Sequence, residues 1–277
     1  MAWFNMRLNR FFSRFCGPAL LIGLAASQAE ADTLNIRYSV SMLGLSIGTA
    51  SLTGTFDAAS YRIEANTKLS GLAALMSSSK GAAASTGAFA RSQIVPATYA
   101  TTSANSTVSR TVRMSMAAGA VKAFEITPPF EDQAGRIPLG DEHKRGIVDP
   151  LSAVIMSVPA DQPLIGPAAC NRTLPIFDGF TRFNVPLTFV GTRQVKAHGY
   201  AGPVAVCAAR FVPIAGHRPD RKATKFMADN KQIEVWLAPI EKAHVAVPFR
   251  ISVLSMIGTV VVEAQDFVVE SGQAAGK

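Results

Sequence analysis

The sequence predicts a mainly β protein built on one large, curved antiparallel sheet with one or two short helices. Three observations predict it. Apolar and polar side chains alternate with a period of two from Leu34 onward, the pattern of a half-buried strand. Short turn sequences rich in Gly, Asp, Ser and Pro separate such runs. Helical character is confined to two brief stretches, one after Gly71 and one after Asp149.

The chain opens on a different pattern. Arg7, Arg10 and Arg14 precede a charge-poor stretch, Cys16 to Ser27, and then Ala29-Glu30-Ala31. Positive, apolar and small-x-small in that order describe a secretory signal over residues 1–31, cleaved before Asp32. The apolar run is shorter than a membrane span and is interrupted by Gly17 and Pro18, so no transmembrane anchor is expected after cleavage. These features predict a periplasmic protein. The signal carries three arginines and Glu30, so the remaining 246 residues keep +6 of the full chain's +8. Spread over that length, the excess serves solubility and gives only weak leaning toward anionic neighbours. No basic run is interleaved with aromatic residues, and nucleic acid is not an expected partner.

A single β-rich domain is expected over residues 32–270, with a flexible tail over 271–277. Leu34, Ile36, Tyr38 and Val40 share one strand face; further strands follow near 48–56 and 61–69, joined by Asp57-Ala58-Ala59-Ser60. Gly71 to Gly81 reads as a short helix or apolar flap. Strands then fall near 85–91, 97–104, 107–116 and 119–126, and a proline-rich charged loop reaches Arg145. Asp149-Pro150 starts a predicted helix to Ser157, with Asp149 as cap and Pro150 at the first helical position. Strands resume near 173–177, 180–190, 192–200 and 203–213, with Asp178-Gly179 as a tight-turn signal. The last strands lie near 231–238, 248–255 and 258–269. Four Tyr and two Trp are too few for the aromatic girdles of an outer-membrane barrel.

Cys16 leaves with the signal, and the remaining pair, Cys170 and Cys207, is expected to form a disulfide in an oxidising compartment. Catalytic motifs do not hold up. Gly44-Leu-Ser46-Ile-Gly48 matches the nucleophile elbow in letters, yet the residues after it alternate like a strand rather than opening a helix. His143, His198, His217 and His244 show no metal-ligand spacing, and phosphate-loop and dinucleotide fingerprints are absent. No catalytic residue, metal or cofactor is assigned.

Several segments in order resemble a bacterial envelope family, the domain of unknown function numbered three thousand one hundred and eight. They are Tyr38 to Gly48, Gly71-Leu-Ala-Ala-Leu, Asp149-Pro-Leu-Ser-Ala, Cys170-Asn-Arg with Phe177-Asp-Gly-Phe-Thr-Arg182, and Cys207 followed by Pro213-Ile-Ala-Gly216. Ile233-Glu-Val-Trp236-Leu-Ala, Pro248 and Gly258 complete the set. The resemblance implies an exported antiparallel β protein, more remotely similar to the half-barrel of periplasmic lipoprotein carriers. It carries no reaction and no catalytic residues.

The reading that follows is a non-enzymatic envelope protein holding an apolar ligand, such as a lipid, or a lipoprotein or other envelope partner. Leu72, Leu75 and Met76 on the flap, with Leu151, Val154 and Ile155 on the predicted helix, could line or plug the concave face. The plainer account is that they close the core. The alternative reading is a binder of anionic envelope polymer through Lys144, Arg145, Arg218, Arg221, Lys222 and Lys225. A hydrolase using Ser46 is the remaining alternative.

Overall fold

A computed structural model describes residues 31–70, 80–90, 92–105, 107–129 and 134–271. The signal-like residues 1–30, the apolar flap with Leu72, Leu75 and Met76, and residues 272–277 lie outside the described residues.

Fifteen strands form one sheet. The first seven make a meander: β1 (Asp32–Met42), β2 (Leu45–Phe56), β3 (Ser60–Leu69), β4 (Lys80–Ala90), β5 (Gln93–Ala104), β6 (Ser109–Ala117) and β7 (Ala120–Thr127). After a long connection come β8 (Met156–Ser157), β9 (Arg172–Phe177), β10 (Arg182–Ala197), β11 (Tyr200–Ala209) and β12 (Val212–Ala215). The chain ends on β13 (Ile233–Ile240), β14 (Val245–Ser255) and β15 (Gly258–Ser271). The order across the sheet is β12-β10-β11-β13-β14-β15-β1-β2-β3-β4-β5-β6-β7, with β8 on β14 and β9 on β10. Every ladder is antiparallel. The first and last strands lie side by side, from Asp32 opposite Ser271 to Met42 opposite Val260.

The period-two pattern decides which face turns inward. On β1, Leu34, Ile36 and Tyr38 are buried; on β3, Tyr61 and Ile63 are buried while Arg62, Glu64, Asn66 and Lys68 face out. The tyrosines Tyr38, Tyr61 and Tyr99 all point into this interior instead of forming an outer girdle. Tyr38 donates to the Pro248 carbonyl at 2.7 Å, tying β1 to β14.

Curvature brings the two ends of the sheet together. Phe124 of β7 meets Phe177 of β9 edge-on with centroids 6.2 Å apart, and Val112, Phe177 and Val204 belong to one core. A short segment fills the seam between them. Arg145 bridges to Ala120 beside β7, and Val148 bridges to Ile176 of β9. The Val148 amide donates to the Pro175 carbonyl at 2.9 Å, and the Phe177 amide to the Val148 carbonyl at 3.0 Å. Among the described residues no strand ladder closes the sheet into a barrel.

A second, smaller core covers the outer face of β11 and β13. There Cys170, at the end of the helix Pro167–Cys170, bonds to Cys207 with an S–S distance of 1.99 Å. Leu187, Ala205, Leu237 and Met156 pack around it.

Three elements differ from expectation. The predicted helix over Asp149–Ser157 is a single 3-10 turn, Ser152–Val154, followed by β8. Asp149 caps it as foreseen, but Met156 and Ser157 give their backbone to β14 opposite Ala246 and Val245, so the helix cannot continue. The runs 180–190 and 192–200 are one long strand, β10, with a bulge at Val190. The charged stretch after Arg221 is a helix, Lys222–Asp229, in which Lys222, Ala223, Lys225, Met227 and Ala228 favour helix and Gly and Pro are absent.

Candidate functional site

The meander and the β13–β15 hairpins place their turns at two ends of the curved sheet, and the ends differ in chemistry. At one end lie the turns around Asp57–Ser60, Ala118-Gly119, His198-Gly199 and Glu241–His244. They are short and polar or made of small residues. At the other end lie the β1–β2 turn (Leu43-Gly44), the β5–β6 turn near Val108 and the β14–β15 turn (Met256-Ile257).

The polar end is filled. Ile147, Leu151 and Ile155 enter the main core there, with Val154 packed against it. Leu151, Val154 and Ile155 are the helix residues proposed above as a ligand face; Leu151 and Ile155 are buried in this core and Val154 packs against it. Around them sits a closed hydrogen-bond group. The Asp149 carboxylate accepts the Leu151 and Ser152 amides at 3.0 and 2.9 Å on one oxygen. Its other oxygen accepts the hydroxyls of Ser152 at 2.5 Å and Ser85 at 3.1 Å. Ser152 in turn meets the Tyr61 hydroxyl at 2.6 Å. Burial raises the Asp149 carboxyl above the ordinary carboxylate range, while the Ser152 and Ser85 bonds pull it back down. The group joins β3 and β4 to the seam segment.

Chemically, this group has the components of a nucleophile site without the access. Asp149 and Ser152 are 0% exposed and Ser85 1% exposed. A cleft of about 490 Å³ along the seam has Ser152 among its walls, beside Ile147 and Pro175. Yet the Ser152 hydroxyl is engaged by Asp149, Ser85 and Tyr61, with no histidine among its partners. The arrangement is a structural keystone: a buried carboxylate with four donors aimed at it.

The other end is hollow. On the inward face, the large side chains of the polar end give way to small ones: Gly48 and Ala50 on β2, Ala65 and Thr67 on β3, Gly81 and Ala83 on β4. A cavity of about 550 Å³ opens there, lined by Val40, Ala50, Leu69 and Val262, with Lys68 and Lys80 among its lining residues. Lys68 and Lys80 stand directly opposite each other across β3 and β4. Their other cross-strand neighbours are Thr49 and Ala104, so no carboxylate sits beside either. Like charges facing each other on a sheet repel.

The expected anion-binding residues are not brought together. Lys144 pairs with Asp141 at 3.1 Å and lies over the Phe124 ring, and Arg145 bridges to Ala120 at the polar end. Arg218 donates to the Ala134 carbonyl. Arg221, Lys222 and Lys225 belong to the helix Lys222–Asp229 and its cap, anchored at the hollow end: Asn230 donates to the Leu254 carbonyl at 2.8 Å. Lys225 lies 4.0 Å from Asp220. Ser46 sits exposed within β2 opposite Ser41, in a hairpin and not on a strand-to-helix elbow. Among the described residues no group of three or more His, Cys, Asp or Glu could hold a metal. No helix among them is long and apolar enough to cross a membrane. Sequence reasoning missed Lys68 and Lys80; pairing registers, not local pattern, reveal them.

A family model described as "Protein of unknown function (DUF3108)" matches residues 37–265. Among solved structures, the chain is similar to a beta-barrel-like protein of domain of unknown function DUF1849 from Brucella abortus. The identity is 8% and the TM-score 0.44, over 87% of this chain and 98% of that one. No curated protein matches.

Proposed function

We propose, from the premise that the chain belongs to the DUF3108 family, that it is an exported, non-enzymatic envelope protein holding an apolar ligand in the hollow end of its sheet. The observation that carries this reading is the contrast along one interior. β2 and β3, which fill the polar end with Phe56 and Ile63, line the other end with Ala50 and Thr67. An apolar cavity of about 550 Å³ falls in the size range of small-molecule sites. Residues 1–31 support export to the periplasm, with cleavage before Asp32, and the Cys170–Cys207 disulfide is compatible with an oxidising compartment.

Native mass spectrometry of the protein recovered from the periplasm, followed by lipid extraction, tests the reading. A stoichiometric apolar adduct is expected, and the substitution Ala50→Phe should reduce its occupancy by filling the cavity. A clean apo mass for the wild type, at every protein concentration and after incubation with extracted envelope lipid, would overturn it.

A further inference from the structure

We propose that the hollow end is a docking surface for an anionic lipid bilayer. This inference concerns the rim of the cavity, and it stands or falls separately from whether the cavity holds a ligand.

Five of the ten large hydrophobic residues exposed on the described surface sit on the turns of this one end. Leu43 is 69% exposed, Leu45 67%, Met256 56%, Ile257 72% and Val108 42%. The first four belong to adjoining hairpins: the Leu43 amide donates to the Thr259 carbonyl, and the Leu43 side chain packs over Gly258. Exposed apolar side chains gathered on neighbouring tips mark an interaction surface, whereas single ones do not. The opposite end is an internal control. Its turns, at Asp57–Ser60, Ala118-Gly119, His198-Gly199 and Glu241–His244, carry no large exposed apolar side chain. Water at both ends would give no reason for the difference.

Charge selects the partner. The described residues of this end, 42–47, 68–70, 80, 104–105, 107–110 and 255–259, include Lys68, Lys80 and Arg110 and no Asp or Glu. Lys68 and Lys80 face each other with threonine and alanine as their other cross-strand neighbours, a repulsive arrangement that an external anion relieves. The helix Lys222–Asp229, tied to the same end through Asn230 and Leu254, adds the exposed Arg221, Lys222 and Lys225 near Asp220 and Asp229. Apolar tips at an end that also carries Lys68, Lys80 and Arg110 suit a surface with anionic headgroups above acyl chains: the tips enter the interface and the cationic groups stay at headgroup level. A second copy of the chain would instead set lysine against lysine.

Vesicle co-sedimentation decides the matter, using protein whose amino terminus has been read by mass and variants prepared in the same form. Wild type should bind phosphatidylglycerol-rich vesicles about tenfold more than phosphatidylcholine vesicles, and high salt should erase most of that preference. The pair Lys68→Glu and Lys80→Glu should abolish the preference. The pair Leu45→Ser and Ile257→Ser should weaken binding severalfold while leaving far-ultraviolet circular dichroism and Tm unchanged, since both side chains are exposed. Lys122→Glu, on β7 near the polar end, should bind as wild type. Equal or absent wild-type binding to the two vesicle types would overturn the proposal, as would tip variants that bind normally. So would a lipid-free dimer that Leu45→Ser with Ile257→Ser dissolves, because it would assign the surface to a second copy.

Discussion

Asp57, Asp149 and Asp178 each begin the same four-residue turn, Asp-x-x-Ser or Asp-x-x-Thr. In each, one carboxylate oxygen accepts the amides of the second and third residues on, and the other accepts the hydroxyl of the third. One local device thus serves at three depths, and depth decides its electrostatics. At the half-buried Asp57 the Ser60 hydrogen bond dominates and holds the carboxyl below its usual range. At Asp149 and Asp178 burial dominates and raises it. A carboxyl raised by folding binds its proton more tightly in the folded chain than in the unfolded one. Its contribution is therefore complete below the unfolded carboxyl value and is lost as pH rises through the folded one. Urea midpoints should fall as pH climbs from about 4 toward neutrality, and Asp149→Asn should flatten that slope, since the amide keeps an acceptor for both backbone amides. Asp149→Ala leaves those buried amides unpaired and should cost about 1–3 kcal/mol at any pH. An unaltered slope in Asp149→Asn would place the titration on Asp178 instead. The motif was visible in the letters, and the Asp149 cap was foreseen; its depth, which sets the sign, was not.

Among the elements, the legible ones announce themselves by alternation. β1, β2 and β3 were read to within a few residues because Leu34-x-Ile36-x-Tyr38 buries every second side chain. Helix against strand was harder where tertiary pairing decides, as at Met156-Ser157, whose apolar neighbours fit either. The Lys222–Asp229 helix was hidden by its charge, although Ala223, Met227 and Ala228 favour helix. Cysteine number and inferred compartment predicted the Cys170–Cys207 bond, and both residues are fully buried. It closes a loop of 37 residues, for which the chain-entropy account gives about 4 kcal/mol. The double substitution Cys170→Ala with Cys207→Ala should lower stability by about 2–4 kcal/mol in denaturant titration without changing the strand signal in circular dichroism. A loss of sheet signal would show that the bond is needed to form the sheet and not only to stabilise it.

At the scale of the molecule, curvature was foreseen and the seam was not. No periodicity in Arg145 to Val148 says that this segment lies between β7 and β9; only the fold brings Ala120 and Ile176 to either side of it. Phe177 is the side chain that joins the two halves: it is fully buried, meets Phe124 of β7 and belongs to the main core. Phe177→Ala should cost about 3–5 kcal/mol, the usual range for deleting a buried ring, and should raise hydrogen exchange at Val148 and Ile147 before other core amides. Uniform exchange across the sheet would mean that the seam opens only with the whole. The hollow end was equally illegible in outline, since Ala50 read only as part of a strand and Gly81 as the end of a flap until register sets them around one cavity.

The neighbourhood of β1 and β15 has a kinetic consequence. β1 is the first strand of the chain to be made and β15 the last, with Asp32 paired to Ser271. Until residues 258–271 arrive, β1 has β2 on one side and an unsatisfied row of amides and carbonyls on the other. A sheet whose final hydrogen bonds join its most distant residues has high contact order and completes slowly. During that interval the growing meander is a template for any other extended chain, so the waiting edge, more than the finished surface, sets the risk of aggregation.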